Sequence, residues 1–164
     1  MKQKNLLVLV GAPGSGKSTW AAKFAKEHKA LHVSRDIIRY SMLEDNDEYF
    51  ANEDVVFDTF CNYIKEGLRI DDFEYVIADA THLNQFGRNK LLSHITLTPD
   101  VKLIAVVFDT PLQTCLDRNA KRTGRSCVPE SIVKRMWNSF TDPIHDQMQH
   151  FDEVWHINEE GEME

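Results

Sequence analysis

Apolar residues fall in short unbroken runs separated by longer amphipathic stretches. The runs are Leu6–Val10, Leu31–Val33, Tyr75–Ala78, Leu103–Phe108 and Val154–Ile157. Val/Ile/Leu runs without polar alternation fit strands buried on both faces. Strands alternating with helical stretches predict βαβ units around a parallel sheet, an α/β fold. Ser18 to Glu27 reads as the first helix. Phe57, Cys61, Ile64 and Leu68 recur at helical spacing, with acids and Lys65 on the other faces. Asn84 is placed to cap a helix running through Leu91 and Leu92 to Ile95. Thr110-Pro111-Leu112-Gln113 offers Thr as cap, Pro at the first helical position and Gln three residues after the cap. That helix is expected to reach about Lys121. A last helix starts near Glu130, after Pro129, and ends before Pro143.

The chain of 164 residues predicts one domain over residues 1–158, followed by a solvated, mobile acidic tail at 159–164. No apolar run approaches the ~20 residues that span a bilayer, so no membrane partner is expected. Cys61, Cys115 and Cys127 form no CxxC pair, which fits a reduced intracellular, cytoplasmic protein. The formal net charge of −7 speaks against a broad nucleic-acid-coating surface and leaves room for a local basic site. His145 and His150 lack metal-ligand spacing, and Glu44 to Glu48 with Glu53-Asp54 reads as a solvated acidic face.

The chemistry begins at Gly11-Ala12-Pro13-Gly14-Ser15-Gly16-Lys17-Ser18, a complete GxxxxGK[ST] pattern directly after a strand and before a helix. Converging backbone N–H groups hold phosphate oxygens, so glycines are needed where a Cβ would clash or φ is positive. Lys17 reaches the β- and γ-phosphates, and the Ser18 hydroxyl is a ligand for Mg²⁺. ATP with Mg²⁺ is the predicted cofactor.

Three further clusters follow, two of them at or beyond predicted strand ends, where open α/β sheets bind ligands. Ser34-Arg35-Asp36, with Arg39 one turn on, supplies either a base for an acceptor hydroxyl and a grip for an anion, or a capping Asp with an i,i+3 ion pair. Asp79 ends the third strand in Asp79-Ala80-Thr81-His82, placed to orient Mg²⁺ or to meet the acceptor. Asp117-Arg118-Asn119-Ala120-Lys121-Arg122-Thr123-Gly124-Arg125 puts four cations on a helix end and loop. An arginine in such a lid can be worth about three to five orders of magnitude in phosphoryl transfer.

With these stretches placed, the chain resembles the kinase domain of phage-type 5′-hydroxyl polynucleotide kinases. The match runs through Gly11 to Ser18 with Thr19-Trp20, then Ser34-Arg35-Asp36 and Arg39, Asp79-Ala80-Thr81-His82-Leu83-Asn84, and Phe108-Asp109. It continues through Arg118 to Arg122, Cys127-Val128-Pro129 and Ile132 to Met136. The resemblance implies a five-stranded parallel sheet of order 2-3-1-4-5, as in adenylate kinase, with a small lid. It implies ATP-dependent transfer of the γ-phosphoryl group to the 5′-hydroxyl end of single-stranded RNA or DNA, in end repair with a separate ligase as a partner. Lys17, Ser18 and Thr19 would handle the phosphates and metal. Asp36 would be the general base and Arg39 would grip the phosphate beside the accepting nucleotide. Asp79, with Thr81 beside it, would support the metal or acceptor. Arg122 would stabilise the transferring group and Arg118 would lie against the nucleotide.

Two features depart from that family. The chain shows no DxDGT-type segment, so no 3′-phosphatase activity is expected, and Glu44 to Asp54 is acidic for the entrance of a polynucleotide. The alternatives are a P-loop kinase of a small-molecule hydroxyl and an ATP-gated binding protein.

Overall fold

The computed structural model describes residues 3–164, so the first two residues of the expected domain lie outside the described residues. Strands β1 (Lys4–Val10), β2 (Ala30–Ser34), β3 (Tyr75–Asp79), β4 (Val101–Phe108) and β5 (Glu153–Ile157) form one sheet in the order β2-β3-β1-β4-β5. Every pairing is parallel, with Leu6 opposite Val76 on one side and Leu103 on the other. The order reverses between β3 and β4 with β1 at the centre, which opens a crevice beyond the strand ends.

Both sheet faces are covered, as the unbroken apolar runs require. Leu6 and Val8 of β1 pack with Phe60 and Ile64 of α3 (Glu53–Arg69) and Leu91 of α4 (Gln85–Ile95). Leu7 and Leu9 face the other way, onto Ala21, Trp20 and Phe24 of α1 (Lys17–Glu27) and Trp155 of β5. Truncating such a residue to alanine costs about 2–5 kcal/mol.

Fully buried Arg88 of α4 satisfies its guanidinium with Asp146 at 2.6 and 2.8 Å, the His82 carbonyl at 2.9 Å and the Thr141 carbonyl and hydroxyl at 2.9 Å. This knot ties the start of α4 to residues 141–146, which carry only a short 3₁₀ turn at Pro143–His145. No local pattern announces a buried ion pair there.

Two local expectations change. Thr110 does not cap α5 (Leu112–Ala120): Pro111 occupies the cap position without a side-chain cap, and the Thr110 hydroxyl donates to the Ser15 carbonyl at 2.9 Å. The phosphate loop outbids the helix end for that hydroxyl. At the C-terminus, residues 159–164 are solvent-facing but turn back on β5. Asn158 accepts from the Glu160 and Glu162 amides, Gly161 adopts φ +83, and the Glu164 amide donates to the His156 carbonyl at 2.9 Å. The Asx-type turn gives the acidic stretch backbone partners that a free tail would lack.

Candidate active site

β1 ends at Val10 and α1 begins at Lys17, so the phosphate loop spans the centre of the crevice. Gly14 has φ +84, and a Cβ there would stand 2.4 Å from the Cys115 carbonyl oxygen. Gly16 caps α1 at φ +95 with no side chain to satisfy the first turn. The first N–H groups of a helix have no intrahelical acceptors, and here they open toward the crevice as an anion cradle. Ser15 Oγ is buried without a hydrogen-bond partner among the described residues. Lys17 lies partly open to the cradle, and burial of its ammonium lowers its pKa. The charges of Asp79 and Asp36 oppose that shift and Arg122 adds to it, so the four predicted charges share one field.

Ser18 Oγ donates to Asp79 Oδ2 at 2.9 Å, and His32 Nε2 meets the same oxygen at 2.7 Å. β2 and β3 lie side by side with Ser34 opposite Asp79, which brings His32 within reach. Burial raises the Asp79 pKa, but the His32 hydrogen bond, the Lys17 charge and the Ser18 hydroxyl outweigh it and hold the carboxyl below its ordinary value. A hydroxyl and an ionised carboxylate side by side beneath a phosphate cradle are the hard oxygen donors that suit Mg²⁺. The donor set and the cradle together fit ATP with its metal.

α2 (Arg35–Met42) is capped by Ser34, whose hydroxyl accepts from the Ile37 amide at 3.2 Å. Asp36 is therefore not the cap, and its side chain stays 53% exposed. One carboxylate oxygen, Oδ1, accepts from both Arg39 and the Tyr49 hydroxyl, the latter at 2.6 Å. Oδ2 makes no hydrogen bond among the described residues. Arg39 is buried behind Asp36 and uses its other nitrogens on Glu53, at 2.9 to 3.1 Å. Its guanidinium lies over the Tyr49 ring at 4.4 Å. Burial and the hydrogen bond to Asp36 push the Tyr49 phenol well up, so it stays a donor. For Glu53, burial is outweighed by Arg39 and Arg35, which hold its carboxyl below the ordinary value.

On the opposite wall, Arg118 of α5 donates to the Glu159 carbonyl at 2.6 Å and reaches toward Gly14. The lid follows as residues 121–129, with a short 3₁₀ turn at Gly124–Ser126 before α6 (Glu130–Asn138). Asn119 clasps both ends of it, donating to the Val128 carbonyl at 2.6 Å and accepting from its amide at 3.0 Å. Arg125 crosses the mouth to the Glu44 and Asp45 carbonyls.

The crevice thus gathers Lys17, Ser18, Asp36, Asp79 and Arg122. Arg39 sits behind Asp36, Arg118 stands on the Gly14 side, and the Thr81 carbonyl accepts from the Gly11 amide at 3.0 Å. Ala12 and Pro13 are buried under the loop and Thr19 is exposed beyond it. Sequence reasoning missed His32, Tyr49, Glu53 and Asn119. Glu53 corrects the reading of a wholly solvated acidic face. A histidine interrupting the apolar run of β2 was the available signal for His32.

Residues 6–143 match the family described as AAA domain. The chain belongs to that family. It carries the complete P-loop pattern at Gly11–Ser18, and the relatives of this AAA-domain chain are kinases of different acceptors. It is 27% identical over 143 residues to the L-seryl-tRNA(Sec) kinase of Methanococcus maripaludis, covering 84% of this chain and 53% of that protein. It is 27% identical over 180 residues to the adenylate kinase of Bacteroides thetaiotaomicron, covering 96% of this chain and 92% of that one. A chain of the Pnkp1/Rnl/Hen1 RNA repair complex superposes with a TM-score of 0.68 at 26% identity, covering 85% of this chain and 44% of that one. This AAA-domain chain therefore spans about half the length of the seryl-tRNA kinase and less than half of the repair-complex chain.

Proposed function

We propose that this kinase transfers the γ-phosphoryl group of ATP to the 5′-hydroxyl end of single-stranded RNA or DNA. The observation that carries the reading is Asp36: one oxygen is held by Arg39 and Tyr49, the other is open, and Lys17 and Arg122 lie within its field. The acceptor hydroxyl gives its proton to Asp36 Oδ2 as its oxygen attacks the γ-phosphorus. The bond to the β–γ bridging oxygen breaks, and ADP leaves. Lys17 and Arg122 stabilise the charge on the equatorial oxygens, and positioning supplies most of the rate. Mg²⁺, held by Ser18 with Asp79 behind it, would screen the phosphate charges. Arg39, with its donors committed to Glu53, Asp36 and Tyr49, acts by orienting the base rather than by gripping a phosphate itself.

An ATP-gated binding protein has no need of an oriented base. A separate ligase as partner follows from the end-repair reading, which the similarity to a chain of an RNA repair complex supports. A small-molecule acceptor is the second reading, favoured by the full-length similarity to an adenylate kinase and by the acidic rim at Glu44 to Glu48.

The test is label transfer from γ-labelled ATP to 5′-hydroxyl RNA and DNA oligonucleotides, with 5′-phosphorylated strands as the blocked control. Label on the 5′-hydroxyl strands alone supports the proposal. No label from protein that binds ATP turns the reading to small-molecule hydroxyls.

A further inference from the structure

A cavity of about 270 Å³ opens between Arg35, the residue before Asp36 at the start of α2, and the first turns of α4. Its wall includes Arg35, Phe57, Phe86 and Lys90, to which the proposed transfer step assigns no part. Two cations converge there. The Arg35 guanidinium lies 5.2 Å from the centre of the Phe57 ring, and the Lys90 ammonium lies 4.6 Å from it. Glu53 takes one Arg35 nitrogen, yet Arg35 Nε is buried with no hydrogen-bond partner among the described residues.

The second observation is Phe86. It stands 80% exposed on the first turn of α4, its ring face open to a planar ligand. Asn84 fixes that turn, accepting from the Gly87 amide at 3.0 Å. Lys90 lies four residues on, so it shares the Phe86 face of the helix. An aromatic face with cations one helical turn away is the arrangement that stacks a base and holds its phosphate. On a chain of net charge −7, this pairing at the mouth beside Asp36 selects a polyanion over a neutral metabolite.

Resting on the polynucleotide reading above, we propose that α4 carries a subsite for the nucleotide downstream of the accepting one. Phe86 stacks its base, and Lys90 with Arg35 holds the phosphate that joins it to the terminal nucleotide. A strand is thereby distinguished from a single nucleotide, because only the strand reaches both subsites. The net charge of −7 limits the contact to this patch, so affinity gained with length levels off within a few nucleotides.

Binding and transfer are measured separately, with a free nucleoside, which lacks the joining phosphate, and a 5′-hydroxyl tetranucleotide as ligands. For the wild type, the tetranucleotide binds more tightly by about tenfold or more, the order expected of one stacked base. Phe86→Ala and Lys90→Gln, both exposed and compatible with the fold, shrink that ratio toward one, and Phe86→Trp restores it. If the ratio survives in Phe86→Ala and Lys90→Gln while transfer proceeds, the subsite is wrong and the kinase reading stands. If the tetranucleotide binds through Phe86 but accepts no phosphate, the subsite stands and the kinase reading falls. If the wild type binds no tetranucleotide, both fall, and Phe86 becomes a docking face for a protein.

Discussion

Glu53 grips Arg39 through both carboxylate oxygens, at 2.9 and 3.1 Å, so a carboxylate from the first turn of α3 sets the guanidinium that aims Asp36. Removing the Glu53 charge while keeping its shape leaves the base in place but loosely aimed. Glu53→Gln is expected to lower kcat by about 10- to 100-fold, since small misplacements at a reacting centre cost that much. KM for ATP is expected to stay near the wild-type value. Steady-state kinetics check this, and equal losses in both parameters would point to a damaged fold.

Asp36→Asn keeps the hydrogen bonds to Arg39 and Tyr49 but cannot take a proton at neutral pH. ATP binding is expected to persist while transfer falls by about 10²- to 10⁴-fold, the usual worth of a general base. Nucleotide binding measured beside single-turnover transfer separates the two. Near-normal transfer would remove Asp36 as the base.

Ser18 and Asp79 are joined by a 2.9 Å hydrogen bond, and the proposed function has the pair hold the metal. Asp79→Asn and His32→Ala are each expected to raise the Mg²⁺ concentration for half-maximal transfer by about tenfold or more, the order seen when supporting partners of a metal ligand are lost. Titration of Mg²⁺ at fixed ATP checks it. An unchanged midpoint would assign Asp79 to the acceptor instead.

His82 ties acid stability to the same region. It is buried, and Nδ1, as the protonated ring nitrogen, donates to the Leu9 carbonyl at 3.0 Å. Burial drives its pKa from 6.5 down to about 4. A histidine with a lowered folded pKa contributes stability that is fully present above pH ~6.5 and is lost as pH falls toward ~4, because only the unfolded chain takes up the proton in that window. The expected loss is on the order of 2–3 kcal/mol, read from denaturant midpoints between pH 7 and 4.5. His82→Gln removes that part of the slope, and a variant with the wild-type slope would show that another group governs it.

Arg88 and Asp146 are both buried, so breaking their pair strands a charge. Arg88→Met is expected to destabilise by about 3–5 kcal/mol. Arg88→Met with Asp146→Leu should recover part of it, as measured by thermal and denaturant unfolding.

The fold was legible because short apolar runs, broken only by single histidines in β2 and β5, mark the strands, and the phosphate loop has its own spacing signature. That Lys17, Ser18, Asp36 and Asp79 lie together at the crevice was legible because they sit at or just past strand ends. Tyr49, Glu53 and Asn119 were not. Tyr49 and Glu53 reach the site by folding the α2–α3 connection back on α2, and no local pattern encodes that return. Glu53, in a run of acids, could only look solvated until Arg39 was seen beneath it. The Thr110 hydroxyl illustrates the converse: a good local cap signal yields when a loop 95 residues away in sequence offers a better acceptor.

Gly14 has no room for a side chain beside the Cys115 carbonyl, and Thr110 is bonded to Ser15, so α5 is bolted to the phosphate loop. In the proposed reaction Arg118 then belongs to the dock into which the nucleotide settles. Arg122 and Arg125 ride on a hatch whose base is pinned by Asn119 to Val128. Its pivot has freedom at Gly124, where φ is +60 and no atom lies within 4 Å of the missing Cβ. In the proposed reaction the nucleotide berths before the hatch shuts, and the latch that Arg125 makes with the Glu44 and Asp45 carbonyls releases before the acceptor leaves.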